Sequence, residues 1–439
     1  MDSQLRELAE RALAHAIAHG AKEAAVGLYR TRFIELKRRE GKTETLQAST
    51  ARGLSIALYV EGRYSSNSTS FLLWSELERF LDETLAMTRK LAPDPYRALP
   101  DPALYGPTTG VELDLEDASY DARDMAWREG LVAATEDVAR SFGERVISAS
   151  ADLTTQASES LQIHSNGFRG ERRTTSFHLS ASVTARDEEG RRPEDYAHAG
   201  ARHAHGLPDP ASIGREAAER ALARIGSRKA ESRRMPLLVE NRAAGRLVSS
   251  LLEPLTGAAL QQRRSCFAER IGQRIGSPLL TLHDDPLIPR ALGSRLYDEE
   301  GLRAAPRDLL REGNLVQYLI DDYYARKLAV PPTGGSTSNL QLPPGRASLR
   351  ELCAPLKEAI LVTSFLGGNS NPATGDFSFG VSGFLIRDGE RVLPISEMNV
   401  TGNHTELWQR LDAVGDDPYP WSSWRMPSLR FSDVQFSGQ

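Results

Sequence analysis

From Arg145 to His205 apolar and polar residues alternate one by one, most clearly where Phe177, Leu179, Ala181 and Val183 are interleaved with His178, Ser180, Ser182 and Thr184. A period of two puts the first set on one face of a strand and the second on the other, which predicts an antiparallel sheet with one packed and one wet face. Asn166-Gly167 and Glu189-Gly190 supply the turns. Upstream, Ala24 to Tyr29 and Phe33 to Lys37 read as two strands, and Gly53 to Val60 begins a third ahead of the Glu61-Gly62 turn. The opening residues have the mixed apolar and charged pattern of an amphipathic helix. Ser75-Glu-Leu-Glu78 matches a capping box opening a helix that runs to about Leu91, where Pro93 and Pro95 stop it. Further helices are predicted from Tyr120 to Phe142 and from Ile213 to Ile225.

The charged stretch Ser227-Arg-Lys-Ala-Glu-Ser-Arg-Arg234 interrupts this pattern and predicts a domain boundary, giving an N-terminal unit over 1–230 and a C-terminal unit over 231–439. Past it, Met235 to Glu240 reads as a strand, and Leu247, Val248, Leu251, Leu252 and Leu255 follow the helical period up to Gly257. Short strand-like runs separated by Gly and Pro follow, among them Leu279 to Leu282, Ala359 to Thr363 and Gly383 to Arg387. The fold class expected is α+β: an α+β N-terminal domain built on an antiparallel sheet, and a mostly β C-terminal domain.

Composition narrows the partners. A net charge of −5, with 26% charged and 40% hydrophobic residues, describes a globular chain with no broad basic face, so direct nucleic-acid binding is not expected. Only Cys266 and Cys353 occur, which excludes a disulfide framework, and both read as small buried hydrophobes. With no apolar run of membrane-spanning length and no signal-peptide pattern at the start, a cytoplasmic location is expected.

Three of the nine histidines, His198, His203 and His205, fall within eight residues and raise the question of a metal site. On a strand, His203 and His205 would share a face while His198 points away, so one strand cannot offer all three to one ion. No H-E-x-x-H helix, phosphate-binding loop or G-x-S-x-G elbow occurs. His283-Asp-Asp-Pro286 suggests a polar site, but Asp284-Asp-Pro286 after a strand reads more simply as a turn. Three other stretches stand out as a set: Ala325 to Leu328 with Arg326, Gly375-Asp376-Phe377-Ser378-Phe379-Gly380 continuing to Gly383-Phe384, and Ile395-Ser-Glu397 to Thr401-Gly402-Asn403. Glycines at this density allow sharp turns or close backbone approach, which by itself is a structural role. Arg326, Asp376 and Glu397, charged residues inside apolar, turn-rich motifs, are expected in buried or half-buried polar networks.

At these stretches the chain resembles the TldD/PmbA family, known as proposed modulators of DNA gyrase and as peptidases. Ser294-Arg-Leu-Tyr-Asp298-Glu-Glu-Gly301, Arg307-Asp308, Gly313 and the N-terminal Gly53-Leu-Ser-Ile and Ala92-Pro-Asp-Pro95 carry the likeness over nearly the whole chain. In this family the TldD-type subunit carries an H-E-x-x-x-H metal motif on the first helix of the C-terminal domain, with a cysteine near the C-terminus as a further ligand. Here that helix reads from Glu240 to Glu253 without a histidine, and the region before the closing strand reads Trp424-Arg-Met-Pro427.

The resemblance therefore implies a TldE/PmbA-type chain: a metallopeptidase-like subunit with no catalytic residue, metal or cofactor of its own. It would act on unfolded or short peptides with a TldD-like homologue that holds zinc or another divalent metal. Arg326, Gly375, Asp376, Phe377, Ser378, Glu397 and Asn403 are the residues expected to line a peptide chamber. The alternative is a homodimeric, non-catalytic peptide-binding or regulatory protein. A stand-alone enzyme using His203 and His205 is a third reading.

Overall fold

The computed structural model describes residues 1–107, 109–188 and 190–438; Glu189, one of the expected turn residues, lies outside them. Six strands, β1 (Glu23–Arg39), β2 (Lys42–Val60), β3 (Arg63–Thr69), β4 (Val146–His164), β5 (Arg169–Ala185) and β6 (Glu194–Ala201), form one sheet in the order β3-β2-β1-β4-β5-β6. Every neighbouring pair is antiparallel. The alternation read from the sequence holds: Phe177, Leu179, Ala181 and Val183 are fully buried, whereas the residues between them face the open side.

Two helix pairs cover the packed face. α1 (Ser3–Ala18) and α2 (Trp74–Thr88) bury Ala9, Ala12, Leu77 and Leu81 against Val26, Leu28, Ile56 and Leu161. α3 (Met125–Arg140) and α4 (Pro210–Ala223) bury Val132, Ala139, Ala217 and Ala221 against Leu36, Leu153, Leu179 and Ala181. Leu28 and Leu36 are both even-numbered positions of β1 and stand opposite Leu161 and Leu153, so the two pairs share one face at opposite ends of the sheet. Each buried leucine contributes roughly 1.5–3 kcal/mol of transfer free energy, and these two layers hold the sheet's long strands in register.

The gap between the helix pairs explains a difference from the expected elements. β1 is one continuous strand rather than two, because its centre passes where neither pair reaches. Arg30 and Arg32 there are only partly buried, and Arg32 ion-pairs with Asp121 at 2.5 Å. Two other expectations are corrected. α2 starts at Trp74 with Leu73 as an N-cap that makes no side-chain hydrogen bond, so Ser75 lies inside the first turn and forms no capping box. α3 starts at Met125, where the Asp124 carboxylate accepts from the Trp127 N–H at 2.8 Å; Tyr120 belongs to a separate short turn of 3-10 helix.

The second half is mostly β. β7 (Arg233–Val239) leads into α5 (Asn241–Leu252) and α6 (Gly257–Gln261). A small sheet follows, made of β8 (Leu282–Asp284), β9 (Arg307–Arg311), β10 (Asn314–Leu315) and β11 (Leu340–Gln341), with α7 (Asp322–Leu328) beside it. The expected Asp284-Asp285-Pro286 turn starts later, because Asp284 still lies in β8 and the turn begins at Pro286; His283 Nδ1 is 2.7 Å from Asp308, and Asp284 is buried. The main sheet holds β12 (Glu358–Ser370), β13 (Asp376–Arg387), β14 (Glu390–Asn403), β15 (Leu411–Val414) and β16 (Leu429–Ser437) around β7, in the order β14-β13-β12-β7-β16-β15. β14 also pairs with β16 through Asn399 to Thr401, which closes the sheet into a barrel. Leu247, Val248 and Leu251 of α5 belong to the core of this barrel with Phe379, Val381, Phe431 and Phe436. No helix among the described residues is long and apolar enough to cross a membrane.

Candidate functional site

α5 is set in place from both halves of the chain. Its N-cap, Glu240, makes no capping hydrogen bond with its side chain, because the carboxylate receives both prongs of the Arg220 guanidinium from α4, at 3.0 and 2.7 Å. Arg220 and Glu240 are 15% and 12% exposed, so this is a fork-to-fork pair in a site largely shielded from water. With its leucines committed to the barrel core, the helix turns Arg246, Ser249 and Glu253 outward at spacings of three and seven, the positions of a single helix face, with the buried Ser250 beside them.

These four residues form one wall of a cavity of about 370 Å³. Ser336 and Thr337 line it too, as do Trp424, whose indole N–H donates to Thr337 Oγ1 at 3.1 Å, and Ser370 at the end of β12. The lining is hydroxyl-rich, with one guanidinium and one carboxylate. Ser250 donates to the Arg246 carbonyl at 3.2 Å, a local helix contact, and has no base beside it.

The donor set does not fit the divalent metal that this fold family implies. Neither imidazole nor thiol lines the cavity, and the Arg246 cation stands where the helix faces it. The nearest histidine, His404, is buried and has both nitrogens committed. Its Nδ1 accepts from the Trp408 indole N–H at 3.2 Å, so Nε2 carries the proton toward Ser370 Oγ, also at 3.2 Å. Burial pushes this imidazole down to about 4. Cys266 is half-buried, and burial pushes its thiol up to about 11, away from thiolate.

Ser370 joins the cavity to a tight corner of the barrel that contains several of the expected chamber residues. Gly375 adopts a φ of +83°, and a Cβ there would lie 2.8 Å from Asn403 Oδ1 and 3.3 Å from Cys266 Sγ. Asn403 Nδ2 donates to the Thr374 carbonyl at 2.8 Å and to Asp376 Oδ1 at 2.9 Å, while Thr374 Oγ1 donates to the other Asp376 oxygen at 2.7 Å. These two donors hold the Asp376 carboxyl below its ordinary range. Phe377 points into the core, stacked on Phe379 with ring centroids 5.3 Å apart and packed against His404 at 4.9 Å. Ser378 is exposed on β13, between Asn369 and Thr401.

The remaining two lie elsewhere. Glu397 occupies a bulge where β14 slips against β13, with a φ of +55° and a side chain 78% exposed, 3.9 Å from Lys229. Arg326 on α7 donates to the carbonyls of Ala98 at 2.8 Å and Leu99 at 2.6 Å and pairs with Asp322 at 2.5 Å, so it fastens α7 to the N-terminal half. The expected half-buried network holds for Arg326. It does not hold for Asp376 and Glu397, which are exposed.

The histidine cluster is also arranged differently from its reading as a strand. β6 ends at Ala201, and His203 and His205 sit on a short 3-10 turn. His203 Nε2 lies 2.9 Å from the Asp114 carbonyl, and His205 Nε2 lies 3.0 Å from the Arg290 guanidinium. His198 packs on Tyr196 and Tyr419. The sequence pattern marks the apolar stripe of α5 and not its polar one. Arg246, Ser249 and Glu253 are legible there as the opposite face, whereas nothing local marks Ser370 as their neighbour.

Comparison with known proteins agrees with this architecture. The profile of the PmbA/TldA metallopeptidase C-terminal domain matches residues 232–438, and that of the PmbA/TldA metallopeptidase central domain matches residues 114–225. The chain is 27% identical to Metalloprotease PmbA of Escherichia coli O157:H7, over 99% of this chain and 97% of that protein. A crystal structure from Bacteroides thetaiotaomicron, described as a proposed modulator of DNA gyrase, superposes with a TM-score of 0.97 at 38% identity and covers all of both chains. TldE from Thermococcus kodakarensis shares the fold, with a TM-score of 0.84 at 20% identity over 98% of this chain and 100% of that one. By sequence and fold, this chain belongs to the PmbA/TldD family.

Proposed function

We propose that this chain is a TldE/PmbA-type, metal-free subunit of a cytoplasmic peptidase, assembled with a TldD-like homologue that holds zinc or another divalent metal. The observation that carries the reading is the polar face of α5: where a metal-binding helix needs imidazoles and a carboxylate on one face, this helix presents Arg246, Ser249, Ser250 and Glu253 to the cavity. Hydrolytic chemistry belongs to the partner, and this chain contributes shape and binding.

Its own residues suit that part. The hydroxyl groups and the guanidinium around the cavity can donate to peptide carbonyls. On its β7 side, β12 has no strand neighbour beyond Val362 among the described residues, so Phe365 to Ser370 form a free edge beside the cavity. An extended peptide can add to such an edge through main-chain hydrogen bonds, with little demand on its sequence. That suits unfolded or short peptides. Purification of the native protein from its own host is the test: a homologue bearing H-E-x-x-x-H should accompany it in fixed ratio. Recovery as a self-associated species with no such homologue would overturn the paired-subunit reading in favour of a homodimeric binding protein.

A further inference from the structure

The last turn of α1 reads His15-Ala-Ile-Ala-His19, with His19 as the C-cap, and Asp82 of α2 faces it. One ligand atom from each of these three residues lies within 4.8 Å of the others, the sole such grouping found among the described residues. We infer that this is a surface site for a borderline divalent transition metal such as zinc or nickel, joining the end of α1 to α2, apart from the α5 cavity and independent of the peptidase reading.

Two features point to a cation there. Histidines four residues apart lie on one helix face, the spacing that lets two imidazoles share an ion. The rings are stacked, 21° apart with centroids separated by 3.9 Å, so the exposed His19 ring must turn before both in-plane lone pairs can meet at one ion. His19 Nδ1 donates to the His15 carbonyl at 2.8 Å, which fixes the tautomer and leaves Nε2 with a free lone pair, as hydrogen bonds behind metal ligands commonly do. The helix C-terminus beside the two imidazoles is already capped by the Arg89 guanidinium, which donates to the His19 carbonyl at 2.6 Å.

His15 is held by the edge of Trp74, with ring centroids 5.8 Å apart, and its Nε2 lies 2.7 Å from Asp82 Oδ1. An ion arriving at Nε2 displaces the proton there, which passes to Nδ1 or to solvent, and the bound ring then carries a single proton on Nδ1, 3.9 Å from Glu78. Two imidazoles and one carboxylate supply three of zinc's four positions; water completes the set. Tetrahedral ligand atoms stand about 3.4 Å apart, so rotation of the exposed His19 ring is needed to close the site. His203 and His205 are the competing pair, with ring centroids 5.3 Å apart, but the first is turned to Asp114 and the second to an arginine.

The test is titration of the metal-stripped chain with zinc and with nickel, read by calorimetry and by the thermal midpoint. One ion per chain should bind and raise the midpoint. His19→Ala, an exposed change that leaves the fold intact, should weaken binding by roughly tenfold or more, and Asp82→Asn should weaken it less. The double variant His203→Ala, His205→Ala should bind as the parent does. Unchanged affinity in His19→Ala, loss of binding in the double variant, or no saturable binding at one ion per chain would overturn the assignment.

Discussion

The polar face of α5 and the corner formed by Gly375, Asp376 and Asn403 meet at Ser370, yet they are built in opposite ways. In the corner each polar group is spent on a neighbour: Asn403 bridges Thr374 and Asp376, and Gly375 leaves no room for a Cβ. On α5, Arg246, Ser249 and Glu253 are exposed toward an open cavity. A corner of this kind determines shape, whereas a face of this kind is available to a ligand. The proposed subunit would use the first for its shape and the second to meet peptide.

The comparison breaks most severely if α5 loses its anchor. Arg220→Ala leaves the Glu240 carboxylate unpaired at a shielded helix end and should cost about 3–5 kcal/mol, measured as the shift in the denaturant midpoint. An effect under about 1 kcal/mol would mean that α5 is placed by its leucines alone. Gly375→Ala should come next, at about 1–3 kcal/mol, because alanine must enter the left-handed region against Asn403. Asp376→Ala removes two hydrogen bonds from an exposed group and should cost less than Gly375→Ala. A larger loss than that would return Asp376 to the buried network expected from sequence.

The smallest effect on stability belongs to the ligand-facing wall. Arg246→Ala and Ser249→Ala should leave the thermal midpoint unchanged and still reduce peptide binding by the assembled enzyme. Normal binding in both would remove the cavity from the account.

Acidification separates the regions further. Burial lowers His404 to about 4 from an ordinary value of 6.5, so the unfolded chain binds the extra proton first. Its contribution to stability is complete above pH 6.5 and is lost as pH falls toward 4, where the loss levels off. Stability measured across that range should fall less steeply in His404→Phe than in the parent protein.

Much of this was legible along the chain, for reasons that differ from element to element. Strand β5 could be read because every second residue is buried under α3 and α4. The centre of β1 could not, since Arg30 and Arg32 pass between the helix pairs and lose the alternation that burial imposes. The β2 segment from Lys42 to Arg52 is exposed at nearly every position and carries no apolar signal. Ser75 imitated a capping box one residue inside a helix already begun at Trp74. The barrel's closure between β14 and β16 depends on partners far from each other in sequence, and so does the meeting of Ser370 with α5, so neither leaves a local trace. The family motifs located Gly375, Asp376 and Asn403 together but gave Arg326 the wrong company: it binds the carbonyls of Ala98 and Leu99 across the two halves.

The central claim, that this chain shapes a peptidase without performing its chemistry, is tested most directly by hydrolysis of a labelled flexible peptide. The rates to compare are those of this chain, of a homologue bearing H-E-x-x-x-H, and of the two mixed, each with and without a chelator. The account predicts no cleavage by this chain alone, and chelator-sensitive cleavage by the mixture that is faster than the homologue gives by itself. Robust cleavage by this chain alone, whether or not the chelator stops it, would contradict the account.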